Sequence, residues 1–427
     1  MSFISSKLRA TKNTLLAMYG ASSLHQKQQL RIVRSLAEKK PVKVVFFAMN
    51  VAMWRYQHVY DKMKADPRFK VYLVLSPLVQ LAREQCIQDL KSMRSYFGQR
   101  GMEFVDWKLE DGEEAVDVRK TIDPDILFYT QQFDKRLTSK HEYERFLDKL
   151  LCLIPYGIGP LYSRRLYDTS FHNLAWKLYY PSPDDLVLAR KLARTKGGNV
   201  VVSGYSIYDD YKAPALQDPW KPLPGKKRII WAPHFTLPNS PGHYHRANFL
   251  WMAEVMIELA RKYEDSLQFV FKPHPKLLTE LYAHPDWGKQ RTDDYYHLWQ
   301  TMPNTQLMTG EFINLFKSSD AMIHDCGSFM VEYLFVDKPV LYVNQHPDML
   351  RESLPQLGKL AIDAHYMASD LEQINTFVNQ VVLGGNDTKQ QARKLFYDRY
   401  LLPSHNEGVG EFIYHDICNS LFSENND

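Results

Sequence analysis

The stretch Val42–Ala48, VKVVFFA, decides the fold class of this chain. Five of its seven residues are valine or phenylalanine, which is typical of a strand buried on both faces of a parallel sheet. A helix-like pattern over 51–65 follows and ends at Pro67, and a second apolar run, KVYLVL at 70–75, comes next. A strand, a helix and a second strand in this order predict a βαβ unit.

The alternation extends along the chain in two series. Further strands are predicted at 104–107, 125–129 and 149–155 and, in a second series that starts after 200–203, at 227–231, 267–272, 320–324 and 339–343. Helices are predicted at 79–97, 116–122, 247–263, 313–318, 328–335 and 371–382. Residues 206–226, rich in Pro, Asp and Lys, indicate a linker. We therefore predict an α/β protein with two Rossmann-like domains, at 41–204 and 205–427, whose parallel sheets face each other across a cleft.

The composition of the 427 residues excludes several classes of protein. With 45% apolar and 24% charged residues the chain is expected to be globular, and its net charge of only +4 argues against a nucleic-acid partner. The four cysteines form no CxxC pair, so reduced thiols of a cytoplasmic protein are expected rather than disulfides or a zinc site. No apolar run reaches the ~18 residues that a membrane span needs.

Residues 1–40 are predicted to form a basic arm before the first domain. They carry eight Lys and Arg against a single acid, Glu38, with apolar side chains such as Leu15 and Met18 in between. Such an arm can lie on an anionic membrane surface, which places the protein peripherally on the inner face of the plasma membrane. A helix packed loosely on the first domain is an equal alternative.

The strongest local signal for a binding site is IHDCGSFMVE at 323–332. A strand is predicted to end at His324, with Asp325 after it, Gly327 in the turn and Ser328 as the cap of the next helix. Free N–H groups at a helix start suit a phosphate, and glycine lets the backbone approach the ligand. Glu332, one turn into the helix, is placed to hold ribose hydroxyls. The alternative is a plain strand, turn and helix with a capping serine.

Two further motifs follow strands of the second series. FKPHP at 271–275 brings Lys272 and His274 to the carboxyl edge of the sheet, where they can neutralise a diphosphate and protonate a leaving phosphate. WAPHFT at 231–236 does the same for His234. His243, His245 and Arg246 come next, but no third ligand has metal-binding spacing, so we predict no metal and no cofactor.

The first series carries a weaker signal, YGIG at 156–159, after a predicted strand. It lacks the full GxGxxG, so a dinucleotide site is weakly supported. His172 and the pair Arg164 and Arg165 follow, and the arginines are expected on the surface. No GxSxG, HExxH or GxxxxGK[ST] occurs, which argues against serine hydrolases, zincins and P-loop NTPases.

Taken in order, these motifs resemble the CDP-glycerol glycerophosphotransferases, the enzymes that prime and polymerise teichoic acids. DCGS at 325–328, EY at 332–333 and KP at 338–339 resemble their D-Y-S-S…D-Y…K-P block. PHP at 273–275 resembles their HP element, and APHF at 232–235 their A-P-T-F-R segment. Gly204, Tyr205 and Asp209 are similar to their G-Y-P-R-x-D boundary, and NEG at 406–408 occupies the place of their D-G-K helix start.

This resemblance, over residues 200–420, implies a GT-B fold. It also implies a transferase that moves a glycerol- or polyol-phosphate unit from a CDP-activated donor to a hydroxyl of a cell-surface glycan or lipid-linked acceptor, with release of CMP. Lys272 and His274 would bind and protonate the donor phosphate. His234, Asp325, Gly327 and Ser328 would contact the nucleotide and its phosphates, and Glu332 the ribose.

The chain departs from the family pattern in its first half. The family has a His-Gly whose histidine is the proposed base, and here Tyr156 and Gly157 stand in that place. His234 replaces a threonine, Thr236 an arginine and Gly327 the first serine. We therefore name Tyr156 and His172 as candidate bases and keep two alternatives. One is a GT-B glycosyltransferase that uses a nucleotide sugar in capsule, lipopolysaccharide or other surface polysaccharide synthesis, and the other is a non-catalytic scaffold protein.

Overall fold

The structure is a computed structural model, and it describes residues 3–79, 83–107, 115–132, 136–158, 164–215, 217–238 and 248–423. The chain divides into two compact units. The first comprises 1–157, 163–209 and 400–427, and the second 158–162 and 210–399. The change of unit at 209–210 lies close to the predicted boundary at 204–205, whereas the C-terminal segment, predicted with the second domain, belongs to the first unit.

The first unit is built on a six-stranded parallel sheet. Its strands are β1 (Val42–Ala48), β2 (Phe69–Leu75), β3 (Ile126–Tyr129), β4 (Leu150–Leu153), β5 (Lys177–Tyr180) and β6 (Val200–Val202). They lie in the order β2-β1-β3-β4-β5-β6. The predicted strand at 104–107 is present only as a bridge between Val105 and Val74, outside β2. If the segment at Val105 is counted as the third strand along the chain, next to β2, the sheet has the strand order of a Rossmann fold.

The helices of the first unit include both the first and the last helix described in the chain. They are α1 (Phe3–Gly20), α2 (Ser23–Ala37), α3 (Gln57–Ala65), α4 (Arg83–Gln99), α5 (Val118–Thr121), α6 (Ser170–Leu174), α7 (Pro183–Leu192) and α18 (Val409–Phe422), with α8 (Tyr208–Lys212) at the change of unit. The predicted arm is therefore a helical hairpin. It is packed tightly, because a Cβ on Gly20 would lie 2.5 Å from the carbonyl oxygen of Asn173 in α6.

The C-terminal helix α18 belongs to the first unit because of two specific contacts. Asp209 accepts hydrogen bonds from the N–H groups of Val409 and Gly410 at 2.8 and 2.7 Å, so a carboxylate lies at the positive end of a 14-residue helix. A Cβ on Gly410 would lie 2.5 Å from Cβ of His58 in α3. The glycine therefore allows α18 to approach α3 at backbone distance.

The second unit contains a second six-stranded parallel sheet. Its strands are β7 (Lys227–Ala232), β8 (Leu267–Phe271), β9 (Thr305–Leu307), β10 (Ala321–His324), β11 (Val340–Val343) and β12 (Tyr366–Ala368). Read from β9, the order is β9-β8-β7-β10-β11-β12, which is again the Rossmann order. The two sheets confirm the predicted fold class. The segment 200–203, after which the second series was predicted to start, contains β6, and this strand closes the first sheet within the predicted first domain.

Nine helices among the described residues of 210–399 surround this second sheet. They are α9 (Phe249–Lys262), α10 (Leu277–Ala283), α11 (Gly288–Thr301), α12 (Ile313–Ser318), α13 (Phe329–Glu332), α14 (Pro347–Ser353), α15 (Gln356–Asp363), α16 (Leu371–Thr376) and α17 (Gln390–Phe396). The core beneath them is aromatic, with Trp231 stacked between Phe249 and Phe271 at 5.8 and 4.8 Å. All four cysteines are free thiols, as predicted.

Candidate functional site

Three adjacent strands of the second sheet end in the polar residues that the sequence singled out. The order β10-β7-β8 brings Asp325, which follows β10, next to His234, which follows β7. Lys272 and His274 follow β8 on the other side of β7. The chain reverses its strand order between β7 and β10, and open parallel sheets bind their ligands at such a switch point. The three motifs therefore meet at the expected edge.

Asp325 ties the two sides of this switch point together. Its carboxylate is buried and accepts hydrogen bonds from the backbone N–H of His234 at 2.6 Å and from the side-chain amide of Asn248 at 3.2 Å. Burial raises the pKa of Asp325 to about 6, although both hydrogen bonds oppose the rise. The geometry makes Asp325 a positioning residue for the His234 loop.

Asn248 is a site residue that the sequence reasoning missed. It precedes α9, where an asparagine before an apolar helix is a common capping signal. Here it makes no capping hydrogen bond, and its side chain instead joins Asp325 to Trp251, whose indole N–H donates to the amide oxygen at 3.3 Å. The sequence therefore carried a capping signal at Asn248, but the tertiary fold determined that its side chain contacts Asp325 and Trp251 instead.

His274 lies among aromatic and cationic side chains. Its ring centroid is 5.2 Å from that of His234 and 4.6 Å from that of Phe235, and its Nδ1 accepts the backbone N–H of Lys276 at 3.2 Å. Burial, with the charges of Lys276 and Lys272 nearby, lowers the pKa of His274 to about 4. At neutral pH the ring is therefore uncharged, and a bound anion would raise its pKa.

Lys272 is a buried cation at the same edge. Its side chain is 6% exposed, and its ammonium group donates a hydrogen bond to the carbonyl of Gly310 at 2.8 Å. Burial lowers the pKa of Lys272 to about 8, so most of the population carries the charge at pH 7. A cation kept out of water in this way interacts strongly with any phosphate that reaches it.

The turn after β10 differs from the expected phosphate-binding helix start. Ser328 has helical dihedrals and makes no capping hydrogen bond, and α13 has four residues only. The N–H groups of Ser328 and Phe329 contact the sulphur of Cys326, and the Ser328 hydroxyl lies 3.4 Å from it. Gly327 does not have a positive φ. Ser328 therefore occupies the predicted N-cap position, but the buried thiol of Cys326, rather than the Ser328 side chain, meets these amides.

Glu332 is placed at the last residue of α13. It is 4% exposed, and its backbone carbonyl accepts a hydrogen bond from the hydroxyl of Tyr211 at 2.9 Å. Glu332 is therefore more deeply buried than His234 and His274, which are both half-buried. The sequence pattern correctly placed Glu332 about one helical turn after Gly327, but it did not predict that Glu332 is buried.

Tyr156, named as a candidate base, lies after β4 in the first unit. Its backbone carbonyl accepts hydrogen bonds from Nε of Arg55 and from the hydroxyl of Tyr205, both at 3.2 Å. The half-buried guanidinium of Arg136 interacts electrostatically with the Tyr156 hydroxyl, and burial lowers the pKa of Arg136. Arg55 and Arg136 were not predicted, because neither belongs to a recognisable motif.

His172, the second candidate base, is a core side chain. It is fully buried on α6, its ring stacks on Tyr180 at 5.9 Å, and burial lowers its pKa to about 4. Neither ring nitrogen has a hydrogen-bond partner within the described part of the chain. His172 and Tyr156 both lie in the first unit, apart in sequence from the cluster around Asp325.

Several predicted residues lie outside the described residues. These are Gly159, His243, His245 and Arg246, together with the side chains of Arg164 and Arg165. Within the described ranges, no group of three or more His, Cys, Asp and Glu side chains is arranged to hold a metal ion.

The two parallel sheets define a protein with two Rossmann-like domains, the composition of a GT-B-like fold. The wall teichoic acid polymerase TagF is similar over 98% of both chains, with 13% identity and a TM-score of 0.57. The Staphylococcus aureus MnaA–UDP complex is similar over 90% of this chain and 98% of that one, with 13% identity and a TM-score of 0.57.

A third similar structure is UDP-GlcNAc 2-epimerase from Neisseria meningitidis bound to UDP-GlcNAc, with 14% identity over 88% of this chain and 99% of that one and a TM-score of 0.53. No protein-family profile matches the sequence, and no curated protein matches it either. At these identities the likeness concerns the fold, and the function has to be argued from the site.

Proposed function

We propose that this protein transfers a glycerol-phosphate or other polyol-phosphate unit from a CDP-activated donor to a hydroxyl of a surface glycan or lipid-linked acceptor. The observation that carries the proposal is the grouping of Lys272, His274 and His234 at the switch point of the second sheet, braced by Asp325. The ordered motifs at 204–408 and the likeness in fold to a teichoic acid polymerase support the same class.

The charges at this edge suit the diphosphate of a nucleotide donor. Lys272 and Lys276 supply positive charge, and both lower the pKa of His274 in the unliganded protein. A diphosphate between these groups would offset both lysines and raise the pKa of His274 toward neutrality. His274 would then hold the proton that the leaving phosphate needs, which makes it the general acid of the proposal.

The reaction follows from this arrangement. An oxygen of the acceptor hydroxyl attacks the phosphorus that carries the polyol, and the bond from that phosphorus to the bridging oxygen of CMP breaks. CMP takes the electron pair of the broken bond, with a proton from His274, and the acceptor hydroxyl loses its proton to a base. The phenolate form of Tyr156 is the proposed base that takes up this proton, because Tyr156 alone of the two candidates is partly exposed.

The first test is calorimetric titration of the full chain with CDP-glycerol, CDP-ribitol, and UDP- and GDP-linked sugars. The wild type is compared with His274→Ala and with His297→Ala, an exposed histidine on α11 that serves as the matched control. We expect selective binding of a CDP-linked polyol. His274→Ala should weaken this binding about tenfold, because it removes one charge-assisted hydrogen bond, and His297→Ala should leave it unchanged.

A glycosyltransferase that uses a nucleotide sugar is the second candidate. Two proteins of similar fold are described with UDP or UDP-GlcNAc bound, and a lysine and a histidine at a sheet edge serve any nucleoside diphosphate equally well. Preference for a UDP- or GDP-linked sugar in the same titration would favour it over the phosphotransferase. Binding of no donor at all would leave a non-catalytic role.

We also propose that α1 and α2 rest on an anionic membrane. Leu15, Met18, Leu24 and Leu30 are 56–65% exposed, and Lys27, Arg31 and Arg34 are exposed on α2 beside the two leucines. Apolar side chains flanked by cations are the pattern of an interfacial helix. Among the described helices, none is long and apolar enough to cross a bilayer.

Liposome flotation tests this surface. We expect the wild type to float with phosphatidylglycerol vesicles at low salt and less so at high salt. The double substitution Leu24→Ser and Leu30→Ser should abolish flotation. The matched control, Leu395→Ser with Leu402→Ser, removes two exposed leucines from 395–402 and should float normally. Equal flotation of all three proteins would exclude the hairpin as the contact.

A further inference from the structure

The first unit contains a cavity of about 320 Å³ beneath α1. Asn13 and Thr14 of α1 form one side of it. Gln132, three residues after β3, and Thr169, just before α6, form the other. Small-molecule sites begin at about this volume. At about 30 Å³ per water, the cavity holds a ligand the size of about ten waters.

Gln132 is the feature of the cavity that points to a ligand. Its side chain is more than nine-tenths buried, at 8% exposure, and it lines the cavity. The amide oxygen accepts only a long hydrogen bond from the Thr169 hydroxyl at 3.5 Å, and the amide N–H groups donate to no described residue. A buried carboxamide with unused donors is costly unless a ligand or water satisfies it.

The charged groups in the cavity wall neutralise each other. Asp168 and Arg194 form an ion pair, and the Asp168 carboxylate also accepts the backbone N–H of Arg194 at 3.1 Å and the side-chain amide of Asn173 at 2.9 Å. Both groups therefore belong to the wall. The cavity wall therefore carries no net charge, and it can form hydrogen bonds to a ligand through its amide and hydroxyl groups.

We propose that this cavity binds an uncharged, hydroxyl-rich unit, either a sugar or an open-chain polyol. Each hydroxyl of such a ligand both donates and accepts, and so matches the mixture of Gln132, Thr169 and Asn13. A phosphate or carboxylate, in contrast, would have to compete with Asp168 for the one cation of the described lining, Arg194. That this unit is part of the acceptor rests on the proposed function, whereas the binding itself does not.

The test is saturation-transfer difference NMR on the full chain. Glycerol, ribitol, glucose and N-acetylglucosamine serve as neutral probes, and glycerol 3-phosphate serves as the charged one. We expect at least one neutral probe to bind. Binding of a polyol or of a sugar then shows which of the two classes the cavity prefers. Gln132→Leu keeps the size of the side chain and removes its amide, so we expect affinity to fall about tenfold.

A second pair of variants separates loss of the site from loss of the fold. Thr14→Phe places a ring at the exposed side of the cavity, and Thr11→Phe places the same ring on the same helix outside the lining. We expect Thr14→Phe to abolish binding and Thr11→Phe to leave it unchanged. The proposal is overturned if no neutral probe binds the wild type, if glycerol 3-phosphate alone binds, or if Gln132→Leu and Thr14→Phe bind like the wild type.

Titration of the same samples with the nucleotide donors separates this inference from the proposed transferase. We expect Gln132→Leu to bind donors as the wild type does. If no donor binds while a neutral probe does, the transferase proposal fails and the cavity stands. If donors bind while no neutral probe does, the cavity proposal fails and the transferase stands.

Discussion

The two sheets of this protein are alike at their amino edges and different at their carboxyl edges. Asp125, before β3, accepts the backbone N–H of Lys43 on β1 at 2.9 Å, and the N–H of Asp125 donates to the Lys43 carbonyl at 2.8 Å. Asp320, before β10, makes the same pair of hydrogen bonds with Arg228 on β7, at 2.8 and 2.7 Å. Each carboxylate also pairs with a lysine, Lys39 or Lys227.

The carboxyl edges carry different chemistry. After β3 the first sheet presents neutral, buried polar groups, Thr130, Gln131 and Gln132. The second sheet presents the cation Lys272, the histidine pair and the carboxylate of Asp325. The amino edge of each sheet therefore holds its central strands together, whereas the carboxyl edge, where open parallel sheets bind ligands, differs between the two sheets. Three experiments test how far the two sheets and their units behave alike.

The largest expected effect is the dependence of stability on pH, to which each unit contributes buried histidines, among them His141 and His365. Burial lowers the pKa of His141 in the first unit to about 4 and that of His365 in the second to about 3. Because the ring is neutral in the folded state, this stability is present above the unfolded pKa of ~6.5 and is lost as the pH falls toward the folded pKa.

Between pH 7 and pH 5 each of these histidines should remove about 2 kcal/mol from the free energy of unfolding. Urea titrations at a series of pH values measure this loss. His141→Asn and His365→Asn should each flatten the curve by about that amount, one in each unit. An unchanged slope in both variants would mean that other groups control the acid response.

The next prediction concerns the packing of the C-terminal helix α18 on α3, which only the first unit contains. Gly410→Ala places a methyl group against the backbone of α3, and we expect a loss of about 3 kcal/mol in guanidinium unfolding. Gly98→Ala is the control, because a Cβ there meets nothing within 4 Å and should stabilise α4 by up to about 1 kcal/mol. Equal stability of the two variants would contradict the close approach of α18 to α3.

The smallest effect tests the equivalence of the amino edges. Asp125→Ala and Asp320→Ala each leave a strand N–H without its acceptor, and we expect losses of about 2 kcal/mol, larger for the more buried Asp125. Asp148→Ala, which breaks an exposed pair with Arg119, should cost less than about 1 kcal/mol. Hydrogen exchange read by mass spectrometry should place each loss in its own sheet. Loss in one sheet only would show that the two edges are not equivalent.

Sequence reasoning located the strands at the centre of each sheet and missed β5, β9 and β12. β1, β7, β8 and β10 are apolar runs that are predicted from composition alone, because both faces of each strand are buried. The edge strands β9 and β12 have three residues each and one buried residue each, so they leave no run to detect.

The candidate site shows the same division. The positions of Asp325, His234, Lys272 and His274 followed from the rule that polar residues after parallel strands meet at the carboxyl edge, and the structure brings them together. Asn248, Arg55 and the depth of Glu332 did not follow, because each depends on which element packs against it.

The sequence by itself determined the α/β class, the two parallel sheets and the histidine, lysine and aspartate residues at the end of the central strands. These are consequences of burial and of strand polarity, which act over a few neighbouring residues. Only the tertiary structure decided that α18 returns to the first unit, that the turn at 326–329 closes on a thiol, and that Gln132 lines a cavity under α1. Each of these rests on contacts between residues far apart in the chain, which no local pattern encodes.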